Sequence, residues 1–174
     1  HCSGPEVFLG AASQRTKNIR MGHGVVLLPK PFNHPVRVAE RAAVLDIMSK
    51  GRLEMGTGRS TPYEQDGYDV PFDESREMWE EAIRILPQAW TQDTFSHEGK
   101  YWRVRERSVL PKPMQEPHPP LWDAASSDES YPKAGENGLG VLSLSILVAL
   151  EKLGERIASY REGLKRAKPI GHFV

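Results

Sequence analysis

The chain has 174 residues, is 39% hydrophobic and 26% charged, and balances 23 Lys plus Arg against 23 Asp plus Glu. A formal net charge of zero offers no global field to hold nucleic acid or an anionic membrane surface, so neither is expected as a partner. Cys2 is the one cysteine, which rules out an internal disulfide and a paired-thiolate zinc site, and no run approaches the ~18 apolar residues of a membrane span.

This size suits a single domain, expected over residues 1–174. With no basic start followed by an apolar stretch, no signal peptide is expected, and the lone thiol fits the cytoplasm. A start at His1 rather than Met fits an internal segment of a longer chain.

Segments of two kinds alternate. Pro5 to Thr16 reads as a helix with Val7, Leu9, Ala11 and Ala12 on its apolar side, and Ile19 to Pro29 as a strand buried on both faces at Val25 to Leu28. Asn33 or His34 can cap a helix beginning at Pro35, with apolar positions Val36, Ala39, Ala43, Val44, Ile47 and Met48, stopped by Gly51. Arg52 to Gly58 is a strand entering the glycine-rich GTGRST loop. Asp73 can cap a helix from Glu74 to about Trp90, striped by Met78, Trp79, Ala82, Ile83, Leu86 and Trp90, which Pro87 should kink or end. Phe95 to Val104 reads as a hairpin turning near Glu98-Gly99. A proline-rich connector spans Pro111 to Pro120. Then follow a strand at Leu121 to Ala125, a helix from about Asp128 to Gly138, and a strand from Leu139 to Ile146. A last amphipathic helix is marked by Leu150, Leu153, Ile157, Tyr160 and Leu164.

Such alternation implies a parallel sheet covered by helices. Periodicity alone leaves an open doubly wound sheet and part of a barrel both standing. A complete (β/α)₈ barrel needs ~250 residues, so as a barrel this chain would be about half of one.

Three stretches carry a resemblance: PEVFLGAASQRTKNIRMGHGVVLLP, HPVRVAERAAVLDIMSKGRLEMGTGR, and PHPPLWDAASSDES with KAGENGLGVL. Together they are similar to the bacterial luciferase-like flavin-dependent monooxygenases. The resemblance implies a partial (β/α)₈ TIM barrel, roughly strands three to six with their helices and a β-hairpin insertion. It places the family's catalytic histidine pair upstream of residue 1, so no catalytic residue is expected here and the chain by itself is expected to be inactive.

The implied activity is oxygenation of a small organic substrate with O₂ and reduced flavin mononucleotide (FMN), the reduced flavin coming from a separate reductase. Alternatives are a deazaflavin-dependent hydride transfer, or a non-catalytic partner subunit of a heterodimer. A homodimer is implied, through the helices that begin at Pro5 and Pro35.

For the flavin, the resemblance implies Arg59 and Thr61 after the fourth barrel strand and Ser126, Ser127 and Ser130 after the fifth. It also implies a cis bond at Gly24 and Val25 beneath the flavin ring. The residues alone leave alternatives: Arg59 on a surface loop, the serines as a helix cap, Gly24 and Val25 as ordinary buried strand. The glycines of GTGRST make a weak dinucleotide fingerprint, since the third glycine is missing and no helix is expected directly after the loop. His23, His34, His97 and His118 have no metal-ligand spacing; His34 suits a helix start. Glu40 and Asp46 are expected in an ion pair or on a solvated helix face. Trp90, Trp102 and Phe95 suit packing, or else a lid over the site.

Overall fold

The computed structural model describes residues 2–143 and 148–171. In chain order the elements are α1 (Pro5–Arg15), β1 (Met21–Gly22), β2 (Val26–Leu27), α2 (Pro35–Ser49), β3 (Leu53–Gly58), α3 (Pro62–Gly67) and α4 (Ser75–Thr91). There follow β4 (Phe95–Glu98), β5 (Arg103–Arg107), β6 (Leu121–Ala125), α5 (Ser130–Glu136), β7 (Gly140–Ser143) and α6 (Leu150–Leu164).

The sheet runs β1-β3-β6-β7 with β2 also on β3, and every pairing in it is parallel. Neighbours in space are neighbours in the chain, joined by helices on the outer face. That is the winding of a (β/α)₈ barrel carried through four strand positions, and the expectation of a partial barrel holds. The last residues of the expected strand to Ile146 lie outside the described ones.

The long strand read at Ile19 to Pro29 is in fact two short ones. Met21 pairs with Leu53, but Val26 pairs with Thr57, so five steps on one strand meet four on the other. The extra residue is absorbed at His23 to Val25, where the Gly24–Val25 peptide bond is cis. Backbone and neighbour come very close there: a Cβ on Gly56 would lie 1.9 Å from the His23 carbonyl oxygen.

Between sheet and helices sits the core, with Leu53, Met55 and Leu121 from the strands, Val36, Val38 and Ala39 from α2, and Trp79, Ile83, Leu86 and Trp90 from α4. The predicted stripe of α4 is buried throughout. Pro87 does not end it: the helix runs on to Thr91 because Ala89 and Trp90 are buried beyond it and the Trp90 indole donates to the Ala39 carbonyl at 3.0 Å. Trp79 donates to the Thr57 hydroxyl at 3.1 Å, which in turn donates to the Trp122 carbonyl at 2.9 Å, so one chain of bonds ties α4 to β3 and β6.

Several expectations need correction. Of the apolar stripe of α2, Val44, Ile47 and Met48 remain exposed, as do Val7 and Phe8 on α1, whose buried positions are Gly10 and Ser13. The helix stop at Gly51 is shared with Lys50: Lys50 adopts the left-handed conformation (φ 59°), and Gly51 (φ 72°) follows it and donates to the Asp46 carbonyl at 2.9 Å. Asp73 caps nothing; Glu74 is the residue before α4. Asp46 is neither solvated nor paired with a cation. It is wholly buried and accepts from the backbone N–H groups of Met114 and Gln115, both at 2.8 Å, and from the Gln115 amide at 2.7 Å. The proline-rich connector crosses over it and supplies those donors. Glu40 pairs with Arg37 as expected.

Arg52 joins the ends of two helices. Its guanidinium donates to the carbonyls of Ser13 (2.9 Å), Thr16 (3.0 Å), Ile19 (2.7 Å) and Ser49 (2.6 Å) and to the Thr16 hydroxyl (3.0 Å). The hairpin β4–β5 is held on α4 by Glu81, which accepts from the backbone N–H groups of Tyr101 (3.0 Å) and Trp102 (2.8 Å) and pairs with His97 (2.9 Å). Trp90, Trp102 and Phe95 are all buried in the core, which is the packing role rather than a lid. At the other end of the chain α6 lies on α5 in backbone contact at two glycines, with the Arg156 guanidinium over the Tyr131 ring beside them. A Cβ on Gly135 would stand 2.3 Å from the Tyr160 carbonyl oxygen, and one on Gly163 would stand 2.3 Å from that of Pro132.

Candidate functional site

At the C-terminal ends of the parallel strands lies a cleft of about 1060 Å³, which is where barrel enzymes place their sites. Gly24, Val25, Arg59, Thr61, Ser126, Ser127 and Ser130 all line it. The seven residues named from the sequence, drawn from three separate segments, therefore meet in one cavity. No residue of the hairpin lines it.

Their local chemistry differs. Arg59 follows β3 directly, is half-buried, and donates to the Ser75 hydroxyl at 3.0 Å, which fixes it against the first residue of α4. Burial pulls its guanidinium below its ordinary value, Arg76 adds to this, and Asp123 and Glu80 oppose it. An arginine stays cationic under all of these.

Thr61 is the cap of α3: its hydroxyl accepts from the Glu64 N–H at 3.4 Å. This short helix opens directly after the GTGRST loop, contrary to expectation. Ser130 closes its own turn, donating to the Ser127 carbonyl at 2.7 Å and accepting from the Ser127 N–H at 3.1 Å. That turn accounts for Ser130, to whose Oγ the Ser127 hydroxyl also donates at 3.3 Å, while Ser126 and Ser127 stand exposed to the cleft. Gly24 and Val25 also line the cleft, continued by the apolar Val26 and Leu27, which pair with Thr57 and Gly58 just before Arg59.

Among the lining residues missed in the sequence, Arg41 is paired with Glu6 and Glu64 is bonded to Ser60, and two others bear on the charge beside Arg59. Arg76, in the first turn of α4, adds a cation there. Asp123 of β6 is buried, and burial raises its carboxyl to about 6 although Arg76 and Arg59 pull it down. A charged residue inside LWDAA, an otherwise apolar strand, was a signal for the second; nothing in the sequence distinguished the first.

The histidines are dispersed. His34 caps α2, its Nδ1 accepting from the Val36 N–H at 3.2 Å. His97 pairs with Glu81, and His118 is buried with Nδ1 2.8 Å from the Pro119 carbonyl oxygen. His23 is buried beneath Glu6 and Arg41, and burial lowers its pKa. Among the described residues no three His, Cys, Asp or Glu side chains gather as a metal site. Among them, too, no helix is long and apolar enough to cross a membrane.

A half-barrel of parallel strands that gathers arginines and serine hydroxyls at its C-terminal end has the build of the barrel enzymes that take an anionic ligand. The chain belongs to the luciferase-like monooxygenase family, whose model matches residues 2–171. It is 30% identical over 171 residues to the oxygenase component of the flavin-dependent trigonelline monooxygenase of Acinetobacter baylyi, a match covering 95% of this chain and 47% of that one. Among solved structures, the monooxygenase RslO1 of Streptomyces bottropensis superposes with a TM-score of 0.84 at 33% identity, over 95% of this chain and 50% of that one. The oxygenating constituent of 3,6-diketocamphane monooxygenase from Pseudomonas putida, in complex with FMN, does so at 0.82 and 25%, over 97% and 52%. An F420-dependent glucose-6-phosphate dehydrogenase of Kineococcus radiotolerans is 27% identical over 148 residues, 83% of this chain and 43% of that one. The chain spans about half the length of the curated relatives it matches.

Proposed function

We propose that this cleft binds the phosphate end of FMN, and that the whole protein uses reduced FMN and O₂ to oxygenate a small organic substrate. The observation that carries the reading is the convergence of Arg59, Arg76, Ser126 and Ser127 in one cleft, from the loops after neighbouring strands β3 and β6 and the first turn of α4. A dianionic phosphate calls for this donor set: two cations, and serine hydroxyls that can donate. The stretch Val25 to Leu27 is apolar and suits a flat ring system. FMN, when bound, supplies the redox chemistry. The chain's own residues hold and orient it, and the walls of the cleft keep water from its reacting face.

The reduced flavin would come from a separate reductase, as the description of the trigonelline enzyme as an oxygenase component suggests. The F420-dependent relative keeps a second reading in play, in which a deazaflavin passes hydride without oxygen. Oxygen uptake with reduced FMN, against hydride transfer from a reduced deazaflavin, separates the two. The exposed apolar face of α1 and α2, with Val7, Phe8, Val44, Ile47 and Met48, supports a homodimer formed through these helices.

The test is an anaerobic titration of the full chain with reduced FMN and reduced riboflavin. A charged hydrogen bond is worth ~1.5–3 kcal/mol, so Arg59→Ala should weaken FMN binding roughly ten- to a hundred-fold and leave riboflavin nearly unchanged. Equal losses for both ligands would show that Arg59 acts through the fold and would remove the phosphate reading.

A further inference from the structure

Asp123 stands apart from the other carboxylates of the cleft, of which Glu6 pairs with Arg41 and Glu64 is bonded to Ser60. It lines the same cavity as Arg59, Arg76, Ser126 and Ser127, it is buried, and its carboxyl accepts no hydrogen bond from a described residue. The charged groups that face it are Arg59 from the end of β3 and Arg76 and Glu80 from α4. Its register partners are Thr57 on β3 and Val141 on β7, neither of them charged. A carboxylate here claims the field of the same two arginines that a phosphate would claim.

We propose that Asp123 sets the charge of the anion site, taking a proton from solvent when a phosphate dianion binds beside Arg59 and Arg76 and releasing it when the dianion leaves. This rests on the reading that those arginines hold a phosphate. The physical basis is that one negative charge and a dianion cannot share two cations in a buried cleft without strong repulsion, and protonating the carboxyl is the least costly relief. Burial already holds the carboxyl near 6 in the empty cleft. A bound dianion can only raise it further. Bond order is untouched; a proton moves from water to a carboxylate oxygen.

The sign follows. As pH rises through about 6, Asp123 of the empty site becomes charged and phosphate binding weakens. The ligand's own second ionisation, also near pKa ~6, works the opposite way, because the dianion binds arginine better. Wild type should therefore show an FMN affinity that stops improving or falls above neutrality. D123N should keep only the ligand's contribution, improving through pH ~6 and then holding level.

The experiment is a titration of the full chain with FMN and with riboflavin between about pH 5.5 and 8.5, for wild type, D123N and R59A. At pH 8, D123N should bind FMN about tenfold tighter than wild type, as one unit of coupled shift implies, with the gap closing towards pH 5.5 and riboflavin unaffected. Calorimetry of wild type in two buffers of different ionisation enthalpy should register net proton uptake with FMN at pH 7.5, a readout that needs no variant to fold. An unchanged or weaker D123N at pH 8, a gap independent of pH, an equal gain for riboflavin, or no proton uptake would each overturn the proposal. If R59A loses FMN selectively while D123N does nothing, the phosphate reading survives and the Asp123 proposal falls. If R59A binds FMN like wild type, both fall.

Discussion

Arg52 offers the sharpest test of how the half-barrel is held together. All five of its N–H groups are used, four of the acceptors are backbone carbonyls, and none is a carboxylate. It therefore satisfies C-terminal carbonyls of α1 and α2 that the helices leave open, and places a cation where both helix dipoles are negative. Lysine can replace at most three of these bonds, and not in the planar fork the acceptors demand. Losing at least two charged hydrogen bonds at ~1.5–3 kcal/mol each, discounted by about half for partial exposure, gives roughly 2 kcal/mol for R52K; R52A should lose about 4 by the same reckoning. With a urea m-value on the order of 2 kcal/mol/M, R52K should lower the midpoint by about 1 M with m unchanged, followed by tryptophan fluorescence. Hydrogen exchange should quicken first at residues 16–20, while FMN affinity stays as in wild type, because Arg52 sits at the opposite ends of the strands from the cleft. A lysine variant within ~0.5 kcal/mol of wild type would refute the clamp.

The hairpin should detach when Glu81 is neutralised. Burial pushes the Glu81 carboxyl up, but the bonds from His97 and from the Tyr101 and Trp102 amides outweigh it and leave it below its ordinary 4.5. Its stabilisation is thus present above that value and lost as pH falls through the lowered one. E81Q should cost about 1–2 kcal/mol at pH 7, measured by thermal unfolding, and the gap should close in acid; a gap that persists there would count against the bond. The proposed dimer should sediment as such at micromolar concentration, and I47E with M48E should yield a folded monomer. A wild-type monomer across the range would dismiss the interface.

Where the sequence was legible, the physics was local. The stripe of α4 repeats at helical spacing, and the structure buries it intact. The apolar run Leu121 to Ala125 is a strand with the expected ends. The cleft residues were reached through the family resemblance, and barrel geometry, which brings strand ends together, is why those after β3 and β6 meet. The failures are of two kinds. Some signals were present and unread: Thr61-Pro62-Tyr63-Glu64 has the cap, the helix-starting proline and the acidic third position of a helix start, and it opens α3. Other features are not local at all. The extra residue between Met21 and Val26 exists only relative to Leu53 and Thr57 on another strand. Asp46 looks solvent-facing until a connector 68 residues away in sequence folds over it. Arg76 becomes a cleft residue only once α4 is laid beside β3.

The bare contact between α5 and α6 has a dynamic consequence. Where two helices meet through side chains, small rotamer changes let one slide on the other. Gly135 and Gly163 leave backbone against backbone, with Tyr160 donating from its hydroxyl to the Leu139 carbonyl at 2.9 Å, so at these two points no soft layer takes up a shift. The pair must open together or not at all, as one cooperative unit in hydrogen exchange. Ser130 begins α5 and closes the turn that presents Ser127 to the cleft. The rigidity of that turn is therefore underwritten from behind, by a helix of which no described residue reaches the cavity.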